Sequence, residues 1–362
     1  MKLSRPYVLT INLLLLALII SSNYWRTVKA DEGMWIFGNP PLPQLAAKYN
    51  FTPSSQWLEH VRLSAVRLNS GGSGAFVSRN GLVITNHHVA RSSIAKLSTA
   101  TRNLLQTGFY ARNLNEELPC GDLEINVLLS LEDVTATVQQ SAANASEKDA
   151  PNLRRATIAT LEKTESEKTG LRCQVITLYE GGEYWLYRYK KYTDVRLVFA
   201  PEAQAAEFGG DYDNFTYPRY ALDFAFLRVY ENNRPVELQH YLRWNSQGPQ
   251  DNDLIFVVGN PGSTDRLRTV AQLEYQRDVA NPLQLRSLTR RRDALVGYAE
   301  RGSEQARQAS DIISGLNNTL KRLTGQQEGL LTAKLMQRKV AEEKELRDRL
   351  AANNELQSRY GD

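Results

Sequence analysis

The sequence predicts a mixed β and α fold: an antiparallel β-barrel or sandwich with a helical insertion, followed by an α-helical segment. Three observations carry this. Gly71 to Ala90 reads GGSGAFVSRNGLVITNHHVA, with short β-prone runs on either side of Asn80-Gly81, the strongest short-range hairpin signal. Arg172 to Ala200 holds three more β-prone runs at short spacing, which indicates antiparallel pairing rather than βαβ crossovers. From Thr269 the pattern is helical to the last residues. The length of 362 residues allows roughly two or three domains. A 42% hydrophobic content with five Trp and seventeen Tyr suffices for sizeable cores. The boundaries read as 1–30 for a leader, 31–265 for the barrel with its insertion near 133–170, and 266–362 for the partial helical domain.

Lys2 and Arg5 precede an uncharged apolar run from Val8 to Ile20, and Val28-Lys29-Ala30 offers a cleavage site before Asp31. That is the pattern of a secretory signal peptide. The alternative is a membrane anchor, but the run falls short of the ~20 apolar residues a span needs, so no stable anchor is expected after cleavage. The formal charge of +4 arises here: without Lys2, Arg5, Arg26 and Lys29, 40 basic residues face 40 acidic ones. That balance gives no reason to expect a nucleic-acid partner. In an exported chain the two cysteines, Cys120 and Cys173, are candidates for a disulfide. Two separate buried thiols are the alternative, and the bridge is slightly favoured.

Gln44 to Tyr49 and Ser54 to Leu63 read as short helices behind Pro43 and Pro53. Trp57, Val61 and Leu63 are placed to pack on the barrel, and His60 takes a surface or capping role. After His88 the pattern is helical through Leu104, and Leu123 to Leu131 alternates as a strand. Asp133 to Gly170 is charged and Ala-rich, with Leu153, Ile158 and Leu161 near helical spacing, which predicts an inserted helical hairpin. Val175–Tyr179, Tyr184–Tyr189 and Val195–Phe199 read as strands, followed by Leu222–Tyr230 and Leu254–Val258. Ala333 to Leu356 reads as one charged amphipathic helix whose partial apolar stripe wants a partner.

Two of the four His stand side by side, His87 and His88, where the second hairpin strand ends. A rigid strand end can hold an imidazole still, as a general base requires. Strand alternation would point His87 to the other face. Asp223 stands at the mouth of an otherwise apolar strand, where an acid must find a partner or bear the cost of burial. An imidazole Nδ1–H is such a partner, and a solvated acid at a strand end is the alternative. Asp211 and Asp213 lie in a Gly-, Asp- and Asn-rich turn and read as loop braces. Adjacent His do not match the i, i+4 spacing of helical zinc sites, and no metal or cofactor is expected.

The Gly71–Ala90 stretch resembles the start of a chymotrypsin-like serine peptidase. More specifically, Thr85-Asn86-His87-His88 looks like the His motif of the S46 family, the bacterial serine dipeptidyl-peptidases. Asp31-Glu32-Gly33-Met34-Trp35 resembles the acidic-aromatic opening of those enzymes, and Gly209-Gly210-Asp211-Tyr212-Asp213-Asn214-Phe215 with Arg219 resembles their Gly-Gly-Asp-x-Asp-Asn-aromatic loop. The resemblance implies His88 as general base, because the base comes last in the motif, and Asp223 as its orienting acid. It implies that Asn214 and Phe215 hold the substrate's free amino terminus, joined by Asn318 from Asn318-Thr319-Leu320-Lys321. Where the family often has a Cys after the catalytic His, this chain has Val89.

Gly259-Asn260-Pro261-Gly262-Ser263-Thr264 looks like a Gly-x-Ser-Gly nucleophile loop, but Pro261 stands where Ser should be, and Ser263 reads as a turn residue. S46 enzymes are longer, with a second barrel that holds the nucleophilic Ser. The expectation is therefore the amino-terminal part of a periplasmic serine dipeptidyl-peptidase, inactive alone, that acts on oligopeptides and forms a homodimer when complete. A non-enzymatic periplasmic peptide-binding protein is the alternative. A third reading makes Ser263 the nucleophile of a one-barrel hydrolase.

Overall fold

The computed structural model describes residues 31, 33–99, 101–260 and 267–360. The proposed leader and Ser263 lie outside them. The chain divides into two compact units, with the division between Phe51 and Thr52. In the described part of the first, the helix Leu42–Tyr49 carries Pro43 in its first turn, where a missing N–H costs nothing. The Asp31 carboxylate accepts from the Tyr49 hydroxyl at 2.7 Å and from Lys48.

The second unit is built on an antiparallel sheet. Its strands are β1 (Ala65–Leu68), β2 (Ser73–Phe76), β3 (Leu82–Thr85), β4 (Phe109–Tyr110), β5 (Leu118–Pro119), β6 (Ile125–Asp133), β7 (Arg172–Leu178), β8 (Glu183–Tyr192), β9 (Asp194–Ala200), β10 (Ala225–Glu231) and β11 (Arg234–Pro235). They run in the order β4-β9-β10-β3-β2-β1-β6-β8-β7, with β11 on β10 and β5 on β9. Among the described residues the path stays open, since no ladder joins β4 to β7. This open sheet with its helices is consistent with a partial chymotrypsin-like fold.

The β2–β3 hairpin forms for the reason the sequence suggests. Gly81 takes φ +66°, and a Cβ there would lie 2.7 Å from Val236. The Ser78 hydroxyl accepts from Asn80 N–H at 3.2 Å and Leu82 N–H at 3.3 Å. β3 then pairs with β10, with Thr85 opposite Ala225. Because the pair is antiparallel, the residues leaving β3 lie beside those entering β10. That register brings Asn86, His87 and His88 to Asp223.

Apolar side chains of β1, β2, β3, β6, β9 and β10, including Phe76, Val83, Ile125, Leu197 and Leu227, form the main core, closed by Ile94 of the helix His87–Leu97. The helices Thr135–Gln140 and Ala150–Thr169 fill the inserted stretch. A separate cluster of Val134, Val138, Val175, Tyr184 and Leu186 packs against Ile158 and Leu161 there.

The expected disulfide and the expected Leu254–Val258 strand are both corrected. Cys120 and Cys173 are both free and buried. Cys120 belongs to the main core and Cys173 to the inserted cluster, so each thiol fills its own apolar layer instead of meeting the other. Leu254–Val258 forms no strand. Ile255 and Val257 are exposed, and without a covering layer, pairing would bury nothing. The segment is tied instead by Asn260 N–H, which donates to Ser73 Oγ at 2.6 Å.

Beyond Thr269, whose side chain makes a capping box with Gln272, the chain is helical. The helix Ser303–Leu331 packs along Asn281–Ala299. The single helix expected over Ala333–Leu356 is broken into Ala333–Ala351 and Asn354–Tyr360, because the Asn353 side chain accepts from Glu355 N–H and starts a new helix.

Candidate active site

The helix His87–Leu97 begins directly after β3, with Asn86 as its cap residue. First-turn N–H groups have no partner within a helix, and the positive end of the helix favours a carboxylate there. Asp223 meets both needs. Its Oδ1 accepts from the His88 backbone N–H at 3.0 Å, and its Oδ2 faces His88 Nδ1 at 2.7 Å. Asn86 adds its side-chain amide, 3.2 Å from both Oδ2 and the Asp223 carbonyl. A ring nitrogen facing a carboxylate carries the proton. Nε2 of His88 is therefore the basic atom, and it has no hydrogen-bond partner among the described residues.

Burial alone would raise the Asp223 carboxyl. The hydrogen bonds from the His88 ring and backbone outweigh burial and hold it below the usual carboxylate value. A depressed acid contributes stability at any pH above its unfolded value and loses it as pH falls through the folded one. Near neutrality Asp223 is thus a fixed negative charge, suited to orient an imidazole and to steady an imidazolium.

His87 is fully buried, and among the described residues neither ring nitrogen has a hydrogen-bond partner. It departs from His88 by the turn of a helix, about 100° per residue, and not by strand alternation. Burial first, and then the charge of Arg91 one turn on, push His87 down to about 4. It stays neutral at pH 7. Below pH 6.5 the unfolded chain takes up a proton that the folded chain refuses until about 4, so acid costs stability across that window, up to about 3 kcal/mol. Urea midpoints at pH 7.5 and 4.5 check this: His87→Leu should lose less than the natural protein on acidification, and equal losses would contradict it.

The loop from Phe208 to Arg219 forms the second half of the site. Asp211 accepts from Gly209 N–H at 2.8 Å and from Arg219 at 2.9 Å, and Asp213 accepts from Tyr220 N–H at 2.9 Å. Both acids are spent on the loop's shape. Arg219 also donates to Asn214 Oδ1 at 3.0 Å, and Asn214 Nδ2 donates to Asn318 Oδ1 at 3.0 Å. Lys321 donates to the carbonyls of Asp211 and Tyr212 at 2.6 and 2.8 Å. The structure thus joins Asn214 and Asn318, which are 104 residues apart. Asn214 is 1% exposed and stands behind Asn318, whose half-buried side chain lies nearer the surface. Phe215 is 59% exposed and takes φ +62°, rare for an aromatic residue and common at binding sites.

Sequence reasoning passed over Phe208. Its ring stacks on His88 with centroids 3.8 Å apart and planes 11° from parallel. The only signal was an aromatic residue directly before a Gly-Gly pair.

The structure is an open antiparallel sheet with a His–Asp pair at the end of β3, on a partial chymotrypsin-like fold. The chain belongs to the peptidase S46 family, whose model matches residues 30–362. Dipeptidyl-peptidase 7 of Phocaeicola vulgatus is 28% identical over 360 residues, covering 91% of this chain and 49% of that protein. The Asp/Glu-specific dipeptidyl-peptidase of Porphyromonas gingivalis is 28% identical over 373 residues, covering 94% and 50%. The crystal structure of Porphyromonas endodontalis DPP11 in complex with the dipeptide Arg-Asp matches with a TM-score of 0.78 at 24% identity, covering 89% of this chain and 50% of that one. The chain spans about half the length of the relatives it matches.

Proposed function

We propose that this chain is the base-and-acid half of a serine dipeptidyl-peptidase that releases dipeptides from the free amino end of oligopeptides. The observation that carries the reading is the 2.7 Å contact between His88 and Asp223 in the same unit as the Asn214–Asn318 pair. His88 Nε2 takes the proton of a serine nucleophile and returns it to the leaving amine, while Asp223 keeps the tautomer and orientation. The serine is placed in the sequence that the relatives have and this chain does not span. The half-length match to the relatives supports this. A base and an acid without a nucleophile form no acyl-enzyme, so the chain alone is proposed to be inactive.

Asn318 is placed to meet the substrate ammonium through its carboxamide oxygen, which keeps one lone pair beyond the bond from Asn214. Asn214 fixes that oxygen from behind, and the exposed Phe215 ring supplies a flat apolar wall. Dipeptides bound to DPP11 fit a peptide substrate. Export to the periplasm through residues 1–30 is supported by the Lys2/Arg5 region and the Val8–Ile20 run. A homodimer is proposed for the complete enzyme on the family resemblance.

The test is amino-terminal acetylation of the substrate. Acetylation removes the charge that Asn318 meets and is expected to abolish cleavage by the full-length enzyme. Asn318→Ala is expected to raise KM for the free peptide roughly ten- to a hundredfold, the worth of one hydrogen bond to a charged group. Ready cleavage of the acetylated peptide would remove the amine-gripping role. Binding of free peptides without any cleavage would favour a peptide-binding protein.

A further inference from the structure

Two groups restrain the His88 ring. Asp223 fixes the direction of Nδ1, but a ring held at one nitrogen can still rock about that bond. Phe208 lies flat on the ring with centroids 3.8 Å apart and removes that freedom. The Arg219 guanidinium stands over the Phe208 ring, 5.1 Å from its centre.

Phe208 is itself held from the helix Ser303–Leu331. Its carbonyl accepts from the Ser314 hydroxyl. The next two residues run against the same helix: a Cβ on Gly209 would lie 2.2 Å from the Ser314 carbonyl oxygen, and one on Gly210 would lie 2.8 Å from Asn317 Cβ. Both glycines have positive φ, +106° and +87°, which side chains rarely allow. The backbone that carries Phe208 is therefore held against the helix, and that position sets its ring over His88.

We infer that Phe208 is a positioning residue: it fixes the plane of the His88 imidazole and so aims Nε2, and it ties that aim to the Ser303–Leu331 helix. The inference rests on the reading of His88 as the general base. Asn318 lies one turn beyond Ser314, so the helix that meets the substrate amine also sets the base. A small misplacement of a reacting group costs rate far more than binding, and the effect belongs in kcat.

The test uses this chain labelled with ¹³C and ¹⁵N at its four histidines, alongside kinetics of the full-length enzyme. In the natural protein the His88 ring protons are expected upfield from the Phe208 ring current, and the Nδ1–H proton is expected as a sharp downfield line. Phe208→Leu should broaden the Nδ1–H line while the His60, His87 and His240 signals hold their places. Phe208→Tyr should restore it. Ser314→Ala changes neither ring, yet should shrink the upfield displacement, because the loop loses its tie and the Phe208 ring shifts from its place over His88. In the enzyme, Phe208→Leu should lower kcat about tenfold or more with KM changed by less than about twofold.

A sharp Nδ1–H line in Phe208→Leu, or an undiminished displacement in Ser314→Ala, overturns the inference. So does a loss confined to KM. If the signals behave as expected but the full-length protein releases no dipeptide, the general-base reading falls and the stacking role stands.

Discussion

Replacing His88 with Ala is expected to lower dipeptide release by the full-length peptidase on the order of 10⁴-fold or more, the usual cost of removing a base that acts as a unit with its nucleophile. His87→Ala is expected to keep turnover within about tenfold of the natural enzyme, because a residue that meets no reacting atom affects stability more than chemistry. The two side chains are neighbours in sequence and opposite in environment. His88 is 30% exposed at its side chain and bonded to Asp223, while His87 is sealed, neutral and without a hydrogen-bond partner among the described residues. Steady-state kinetics of both variants decide the assignment, and comparable losses would refute it.

The second large effect concerns Asp223. Asp223→Asn keeps the size of the side chain, but an amide that turns its NH₂ toward Nδ1 stabilises the wrong imidazole tautomer. The expected loss is about 10³- to 10⁴-fold in kcat near neutrality. The same substitution removes the carboxylate that accepts the His88 backbone N–H at the helix start, so a modest drop in melting temperature should accompany it. A variant that keeps most of its kcat would show that Asp223 serves the helix terminus alone.

How much of this was legible depended on how local the cause was. The hairpin follows from Asn80-Gly81 and its flanking runs. The meeting of His88 and Asp223 follows once β3 and β10 are paired, because antiparallel register sets the end of one beside the start of the other. Asn318 was reachable only through resemblance, since 104 residues separate it from Asn214 and no periodicity connects a loop to a distant helix. The burial of Asn214 was hidden partly for the same reason: the Asn318 bond over its carboxamide comes from that distant helix, while Arg219 of its own loop closes the other side. Leu254–Val258 has the composition of a strand but lacks a layer to cover it. The Cys120–Cys173 pairing failed because compartment and count say nothing about which core each thiol enters. Phe208 was passed over because stacking on an imidazole leaves no mark in hydrophobic spacing.

The central claim is that His88, held by Asp223, serves a peptidase that counts two residues from a free amino terminus. It is tested most directly by mass spectrometry of the products that the full-length enzyme releases over time from an unblocked oligopeptide. The account predicts a ladder of dipeptides, each leaving a peptide two residues shorter, and no products from the His88→Ala enzyme. Single amino acids, internal fragments, or the same ladder from His88→Ala would contradict it.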